Sequence, residues 1–141
     1  MDEELLTKYH VTHILTVAPL QNYEPPLSST KHLCLNILDL PETELSDYYI
    51  QAFPFIEDCV QSNGKVLIHC NAGVSRSAAI LIAYLMKSQN LSYDAAWTIV
   101  KEKRPNINPN IGFIFQLKNY EKQLNNINNW NSYQTNTLPD M

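Results

Sequence analysis

The amino-acid sequence predicts an α/β fold whose central, mostly parallel sheet is flanked by helices. Strand-like apolar segments alternate with segments of helical spacing, a pattern typical of parallel strands joined by crossover helices. One segment, 77–88, is apolar nearly all round, which indicates a helix buried at the centre of the fold. The length of 141 residues suits one domain with a single core.

Four elements are predicted in the first half of the chain. They are a helix over Glu3–Lys8, a strand over Thr12–Ala18, a strand over His32–Leu38 and a helix over Leu45–Ser62. The strands are rich in β-branched or alternating apolar residues, whereas the longer helix repeats its apolar residues at helical spacing. Between the strands, the segment 21–30 contains Pro25 and Pro26 and is predicted as a loop. Pro54 should kink the longer helix or begin a new one.

Four further elements are predicted in the second half. They are a strand over Lys65–His69 and helices over Ser77–Ser88, Ser92–Lys103 and Asn110–Leu124. Ser92 is a favourable N-cap, and Pro105 ends the helix that Ser92 begins. From Asn125 onward the chain holds six asparagines in 17 residues and shows no apolar period. We therefore expect one folded domain over residues 1–124 and a disordered or loosely attached tail over residues 125–141.

A strand, a short loop and a helix carry a cysteine and an arginine at a spacing suited to phosphate chemistry. Five residues, 71–75, separate Cys70, which directly follows the predicted strand, from Arg76, which directly precedes the predicted helix. A helix N-terminus presents backbone N–H groups and a positive dipole end, which stabilise a bound anion and a thiolate. The guanidinium fork of an arginine can bind two oxygens of one phosphate. These residues predict a thiolate nucleophile that attacks phosphorus.

The nine residues His69–Ser77, which read HCNAGVSRS, resemble the signature loop of the cysteine-dependent protein phosphatases, specifically the small (atypical) dual-specificity phosphatases. The resemblance runs from about Glu3 to Leu124 and includes ILDLP at 37–41 and the segment 107–117. It implies a dual-specificity phosphatase-like fold that dephosphorylates phosphotyrosine and phosphoserine or phosphothreonine in proteins through a phosphocysteine intermediate. Family members usually begin with a strand before the first helix, and we expect this chain to lack that strand and to leave a sheet edge uncovered.

The signature loop supplies most of the residues expected to act on the phosphate. Cys70 is the expected nucleophile and Arg76 the phosphate clamp, and the resemblance gives Ser77 the role of stabilising the departing thiolate. The backbone amides expected to line the phosphate belong to Asn71, Ala72, Gly73, Val74, Ser75 and Arg76. His69 is expected to orient the loop by hydrogen bonding rather than to act as a base. Ser77 can alternatively be an ordinary serine at a helix N-terminus.

A phosphate ester also needs a proton donor for its leaving oxygen. The carboxyl groups shortly before the signature loop are Asp39, Glu42, Glu44 and Asp47. The resemblance selects Asp39, and its neighbours Leu38 and Leu40 are expected to shield it from water. The alternative is that Asp39 is a turn residue and that Glu42 or Glu44 is the acid. Downstream, the resemblance gives Asn110 a role in supporting the signature loop, whereas its sequence position also suits an N-cap.

Charge and composition disfavour several other functions. The formal net charge of −4 disfavours a nucleic-acid or anionic-membrane partner, which would need a basic surface. The three cysteines are odd in number and lack metal-like spacing, so we expect reduced thiols in the cytoplasm or nucleus. We expect no metal and no cofactor. A zinc site is disfavoured because its candidate ligands do not match structural sites in spacing or number: His10, His13, His32 and Cys34.

Two other functions remain open for the same loop. One is a catalytically weak phosphoprotein-binding module, although such relatives typically lose the nucleophile. The other is a phosphoinositide phosphatase, although relatives of that kind tend to carry lysines in the loop, where Asn71, Ala72, Val74 and Ser75 are uncharged. Phosphorylated proteins are therefore the expected partners, and the sequence does not predict an oligomeric state.

Overall fold

A computed structural model of the chain describes residues 3–17, 30–70 and 74–137. Its elements are, in order, α1 (Glu3–Lys8), β1 (His13–Val17), β2 (Lys31–Leu35), α2 (Ser46–Gln61), β3 (Val66–Cys70), α3 (Arg76–Ser88), α4 (Tyr93–Lys103) and α5 (Ile111–Thr137). The predicted loop 21–30 lies outside these residues except for Thr30. Within the described ranges, every helix is too short or too polar to cross a membrane.

The three strands form a parallel sheet in the order β2-β1-β3, which confirms the predicted fold class. Val17, the last residue of β1, is paired with Leu35 on one side and with Cys70 on the other. All three strands therefore end at the same edge of the sheet. Within the described part of the chain β3 pairs only with β1, so β3 is one edge of this sheet.

Helix α3 lies at the centre of the core, as the apolar sequence predicts. Its residues Ala79, Ile80, Ile82 and Ala83 are fully buried and pack against the sheet and against α4 and α5. A helix that is apolar nearly all round needs neighbours on every side, and this position provides them. The N-terminus of α3 is thereby held rigidly at the sheet edge where the strands end.

Strand β2 ends at Leu35, three residues before the predicted end at Leu38. Its partner β1 is described as far as Val17, which pairs with Leu35, and no described residue of β1 pairs with the residues after Leu35. Ile37 is nevertheless fully buried, and its N–H donates to the Leu35 carbonyl at 3.1 Å. The alternation that predicted a longer strand therefore continues in a loop, which carries Asp39.

Helix α2 is continuous through Pro54, so the predicted possibility of a second helix beginning there is wrong. Proline lacks the N–H that would bond to the Ile50 carbonyl one turn earlier. Both Ile50 and Pro54 are exposed, so water can donate a hydrogen bond to the Ile50 carbonyl instead. The missing hydrogen bond does not leave a buried polar group unsatisfied.

Helix α5 continues to Thr137, beyond the predicted end at Leu124. Asparagine is a weaker helix former than alanine or leucine, but it does not break a helix as glycine and proline do. Neither of those residues occurs between Gly112 and Pro139, and the helix ends shortly before Pro139. Residues 125–137, which were predicted to belong to a disordered or loosely attached tail, are therefore helical in the structure. The division of the chain into two regions at Leu124 stays a prediction.

Candidate active site

Strand β3 places Cys70 at the sheet edge where α3 begins. The Cys70 sulfur lies 3.2 Å from the hydroxyl oxygen of Ser77, and both residues are buried. When the sulfur is a thiolate, only the hydroxyl can donate, so this contact would stabilise negative charge on sulfur. The predicted contacts of Asn71, Ala72 and Gly73 with phosphate lie outside the described residues.

Arg76, the first residue of α3, is anchored to the loop that follows β2. One terminal nitrogen of its guanidinium donates to the Ile37 carbonyl at 3.1 Å. Its Nε atom is buried and has no hydrogen-bond partner among the described residues. A buried N–H without a partner is unfavourable by about 1–3 kcal/mol. A phosphate oxygen would satisfy this donor, which agrees with the predicted role of Arg76 as a clamp.

A hydrogen-bond network joins Asp39 to the signature loop. The Ser75 hydroxyl donates to Oδ1 of Asp39 at 2.7 Å, and Ser75 itself is buried. The side-chain amide of Asn110 donates to the same Oδ1 at 2.8 Å, and its backbone N–H donates to the Ser75 oxygen at 3.0 Å. The structure therefore brings together three side chains that are far apart in sequence. For Ser75, the sequence had predicted a role for the backbone amide but none for the side chain.

Asn110 combines the two roles that the sequence left open. Its side-chain oxygen accepts a hydrogen bond from the Phe113 N–H at 2.9 Å, which is the N-cap interaction at the start of α5. Its side-chain nitrogen bonds to Asp39, and its backbone N–H bonds to Ser75 in the signature loop. One residue thus begins the helix and supports the site.

Leu38 and Leu40 do not shield Asp39 from water, contrary to the sequence prediction. Both leucines are exposed, and Asp39 is itself an exposed residue. In the loop after β2 the side chain of Ile37 is buried in the core, whereas Leu38, Asp39 and Leu40 are all exposed. Among the described residues, hydrogen bonds link Asp39 to the signature loop but make no such link to Glu42 or Glu44. The geometry therefore favours Asp39 as the acid.

The loop that carries Asp39 is held from the other side by α5. The side chain of Gln116 accepts a hydrogen bond from the Leu45 N–H at 2.8 Å and donates to the Thr43 carbonyl at 2.7 Å. Gly112 lies directly against the backbone of Pro41, where a Cβ atom would overlap. Both residues lie in the segment 107–117 that carries part of the family resemblance, but the sequence predicted no role for either.

Beneath the signature loop, the Thr16 hydroxyl lies between two histidine rings. It is 2.8 Å from Nε2 of His69 and 3.0 Å from Nε2 of His32, so it can donate to one ring and accept from the other. Burial lowers the pKa of His69, as does the positive charge of Arg104. Burial and the neighbouring His69 likewise lower the pKa of His32. A neutral, hydrogen-bonded His69 suits the predicted orienting role.

The residues considered for a zinc site do not converge. His13 contacts Asp58 at 2.8 Å, while His32 contacts Thr16. Within the described ranges, no group of three or more His, Cys, Asp or Glu side chains is arranged to hold a metal ion.

Comparison with known proteins identifies the family to which this site belongs. The sequence profile described as "Dual specificity phosphatase, catalytic domain" matches residues 1–123. The chain belongs to this family. Dual specificity protein phosphatase 19 of Mus musculus is 48% identical over 121 residues, which are 85% of this chain and 54% of the mouse protein. This dual-specificity phosphatase domain thus spans about half the length of that relative.

Solved structures agree with this assignment. The crystal structure of human DUSP28 matches with a TM-score of 0.80 at 34% identity, covering 87% of this chain and 85% of that one. The human tyrosine phosphatase-like serine/threonine/tyrosine-interacting protein matches with a TM-score of 0.76 at 38% identity, covering 85% of this chain and 82% of that one.

Proposed function

We propose that this domain hydrolyses phosphate monoesters of tyrosine, serine and threonine residues in proteins through a phosphocysteine intermediate. The observation that carries the proposal is the position of Cys70, at the end of β3, in contact with Ser77 in the first turn of α3. In the first step the Cys70 thiolate attacks phosphorus, an S–P bond forms, and the P–O bond to the leaving group breaks. In the second step water attacks phosphorus, the S–P bond breaks, and Ser77 donates a hydrogen bond to the departing thiolate.

Arg76 and the amides at the start of α3 bind the phosphoryl oxygens in this mechanism. The bond from Arg76 to the Ile37 carbonyl fixes the guanidinium plane, and its buried Nε faces no other described partner. A fixed fork can stabilise charge that develops on two oxygens in the transition state at little further cost in entropy. The uncharged amides from Asn71 to Ser75 would supply the remaining donors.

Asp39 acts as the general acid in the first step and as the general base in the second. Ser75 and Asn110 both donate to Oδ1, while Oδ2 has no hydrogen bond to the described residues. The transferable proton therefore belongs on Oδ2, from which it passes to the leaving oxygen as the P–O bond breaks. In the second step the carboxylate accepts a proton from the attacking water.

A phosphoprotein-binding function is the second candidate, because a relative that is named for interaction rather than for hydrolysis is also similar to this chain. Serine/threonine/tyrosine-interacting protein B of Xenopus laevis is 41% identical over 123 residues, which are 54% of that protein. Against this candidate, Cys70, Arg76 and Asp39 are all present and are linked to one site by hydrogen bonds. A phosphoinositide substrate has less support, because the loop residues 71–75 are uncharged.

Phosphorylated proteins are the proposed partners, and the cytoplasm or nucleus is the proposed location. A thiolate nucleophile stays active only where thiols are kept reduced, which supports an intracellular compartment. The net charge of −4 supports a function without nucleic-acid or membrane binding.

The test is hydrolysis of p-nitrophenyl phosphate, a panel of phosphopeptides and phosphoinositides, each with EDTA present. We expect turnover of the aryl phosphate and of the peptides, loss of turnover in Cys70→Ser, and retention in the matched control Cys34→Ser on β2. Phosphate trapped on Cys70 during turnover would identify the intermediate by mass spectrometry. Activity that survives in Cys70→Ser would rule out this mechanism, and binding of phosphopeptides without turnover would favour the binding module.

A further inference from the structure

Four large apolar side chains are exposed around the proposed proton donor, and we call them the apolar rim. Leu38 and Leu40 flank Asp39 in the chain, and 54% and 43% of their surfaces are exposed. Ile111 and Phe115 lie one turn apart at the start of α5, with 77% and 66% exposed. Single exposed apolar residues are ordinary, whereas a group of neighbours marks an interaction surface.

The contacts of the two residues that flank Ile111 place the α5 residues of the apolar rim beside its loop residues. The residue before Ile111 is Asn110, whose side chain bonds to Asp39 at 2.8 Å. The residue after it is Gly112, which lies against the backbone of Pro41. Ile111 is therefore held next to the short segment that contains Asp39 and Leu40.

Gln116 fixes the next turn of the same helix. Its side chain bonds to the backbones of Thr43 and Leu45, so the helix face formed by residues 112 and 116 faces the loop. On a helix, residues 111 and 115 form the adjacent stripe. Because this stripe is exposed, Ile111 and Phe115 lie alongside the loop on its solvent side.

The position of Asp39 determines what passes over this surface. A general acid must come within hydrogen-bond reach of the leaving oxygen. In a phosphoprotein that oxygen belongs to the phosphorylated residue itself, so the neighbouring residues of the substrate cross the surface around Asp39. The large apolar side chains exposed there are those of the apolar rim.

We propose that the apolar rim binds a large aliphatic or aromatic side chain of the phosphoprotein substrate, within about three residues of the phosphorylated position. This inference rests on the proposed function, since it takes Asp39 as the acid of a protein phosphatase. It assigns sequence specificity to Ile111 and Phe115, two residues that do not touch the phosphate.

The experiment compares phosphopeptides that differ only in whether leucine or serine flanks the phosphorylated residue. Binding is measured in Cys70→Ser, which cannot turn over, and kcat/KM is measured in the active domain. We expect the leucine peptides to bind about tenfold more tightly and to show a correspondingly higher kcat/KM. The double substitution Ile111→Ser with Phe115→Ser should remove this preference and leave hydrolysis of p-nitrophenyl phosphate unchanged, because that substrate is too small to reach the rim.

The matched control is Ile127→Ser, which changes the same residue type at an exposed position of the same helix. It lies roughly 24 Å from Ile111 along the helix axis, at 1.5 Å per residue, and should keep the preference. A leucine preference that is absent, or that survives the double substitution, would overturn the proposal. So would binding of the domain to phosphatidylcholine vesicles that the double substitution abolishes, since the rim would then be a membrane surface. Failure to hydrolyse p-nitrophenyl phosphate would instead count against the proposed function, while the binding comparison would still decide the specificity.

Discussion

The substitution Gly112→Ala should separate proton donation from phosphate binding. An added Cβ would lie 2.5 Å from the carbonyl carbon of Pro41 and would also overlap its oxygen. Both are backbone atoms, so a rotamer change cannot relieve the overlap. The loop that carries Asp39 must move away from α5, or α5 must move away from the loop. In either case the bond from Asn110 to Asp39 lengthens, whereas Cys70 bonds to Ser77 and Arg76 bonds to the carbonyl of Ile37, which is buried in the core at the start of the loop.

The size of the effect follows from this overlap. Carbon atoms in ordinary contact are about 3.5–4.0 Å apart, so the backbone must shift by roughly 1 Å or more. A misplacement of about 1 Å can lower the rate about 10²-fold, which corresponds to about 2.7 kcal/mol of activation free energy. We therefore expect kcat for phosphoserine peptides to fall about 10²-fold. An activated aryl phosphate, whose leaving group needs little protonation, should lose much less.

The assay is steady-state hydrolysis of a phosphoserine peptide by the wild type, Gly112→Ala, Asp39→Asn and the double variant. If Gly112→Ala acts by displacing the acid, the double variant should have nearly the same kcat as Asp39→Asn alone. The effects of the two substitutions should therefore not add. Thermal unfolding supplies a second readout, because glycine-to-alanine changes within helices ordinarily stabilise by about 0.5–1 kcal/mol. A variant with raised Tm and unchanged kcat would refute the reasoning.

Three further predictions concern the site. Asp39→Asn keeps an acceptor for Ser75 but removes the proton, so kcat for phosphoserine peptides should fall by roughly 10²–10⁴ while binding survives; a larger loss in Glu42→Gln would place the acid elsewhere. Arg76→Lys keeps the charge but loses the fork, so kcat/KM should fall severely in steady-state assays, and near-normal turnover would contradict this. Because burial lowers the pKa of His69 below the ordinary 6.5, the unfolded state binds more protons. Tm should therefore decline as pH falls below about 6.5, and less so in His69→Gln; a flat profile in the wild type would argue against it.

The parts of the site that were predictable from sequence are those formed by neighbouring residues. Cys70 and Arg76 lie within one strand-loop-helix segment, so their spacing predicted that both lie where a strand ends and a helix begins, whereas the role of Ser77 came from the family resemblance. The parallel sheet and the buried α3 were predictable because apolar patterning is a local signal. The end of β2 at Leu35 was not, because it depends on pairing with β1, which is a contact between distant parts of the sequence.

The contacts that hold Asp39 could not be predicted from the sequence. Its partners Ser75 and Asn110 come from two other segments, and only the fold brings them together. Gln116 and Gly112 contact backbone atoms of the loop. Every residue type has these backbone atoms, so the sequence of the loop does not reveal such contacts. The exposure of Leu38 and Leu40 was also misjudged, because both leucines lie in the loop beyond the end of β2, where burial depends on the fold rather than on a local pattern.

The proposed mechanism divides the two chemical tasks between different parts of the chain. The nucleophile and the phosphate clamp depend on β3 and on the N-terminus of α3, which the core holds in place. The proton donor sits on a loop whose position is determined by α5. The two parts meet at Ser75, whose hydroxyl bonds to Asp39, and at Arg76, whose guanidinium bonds to the Ile37 carbonyl. Substitutions at Gly112 and Gln116, the α5 residues that contact the loop, should therefore change leaving-group dependence, whereas substitution of Arg76 should change every substrate alike.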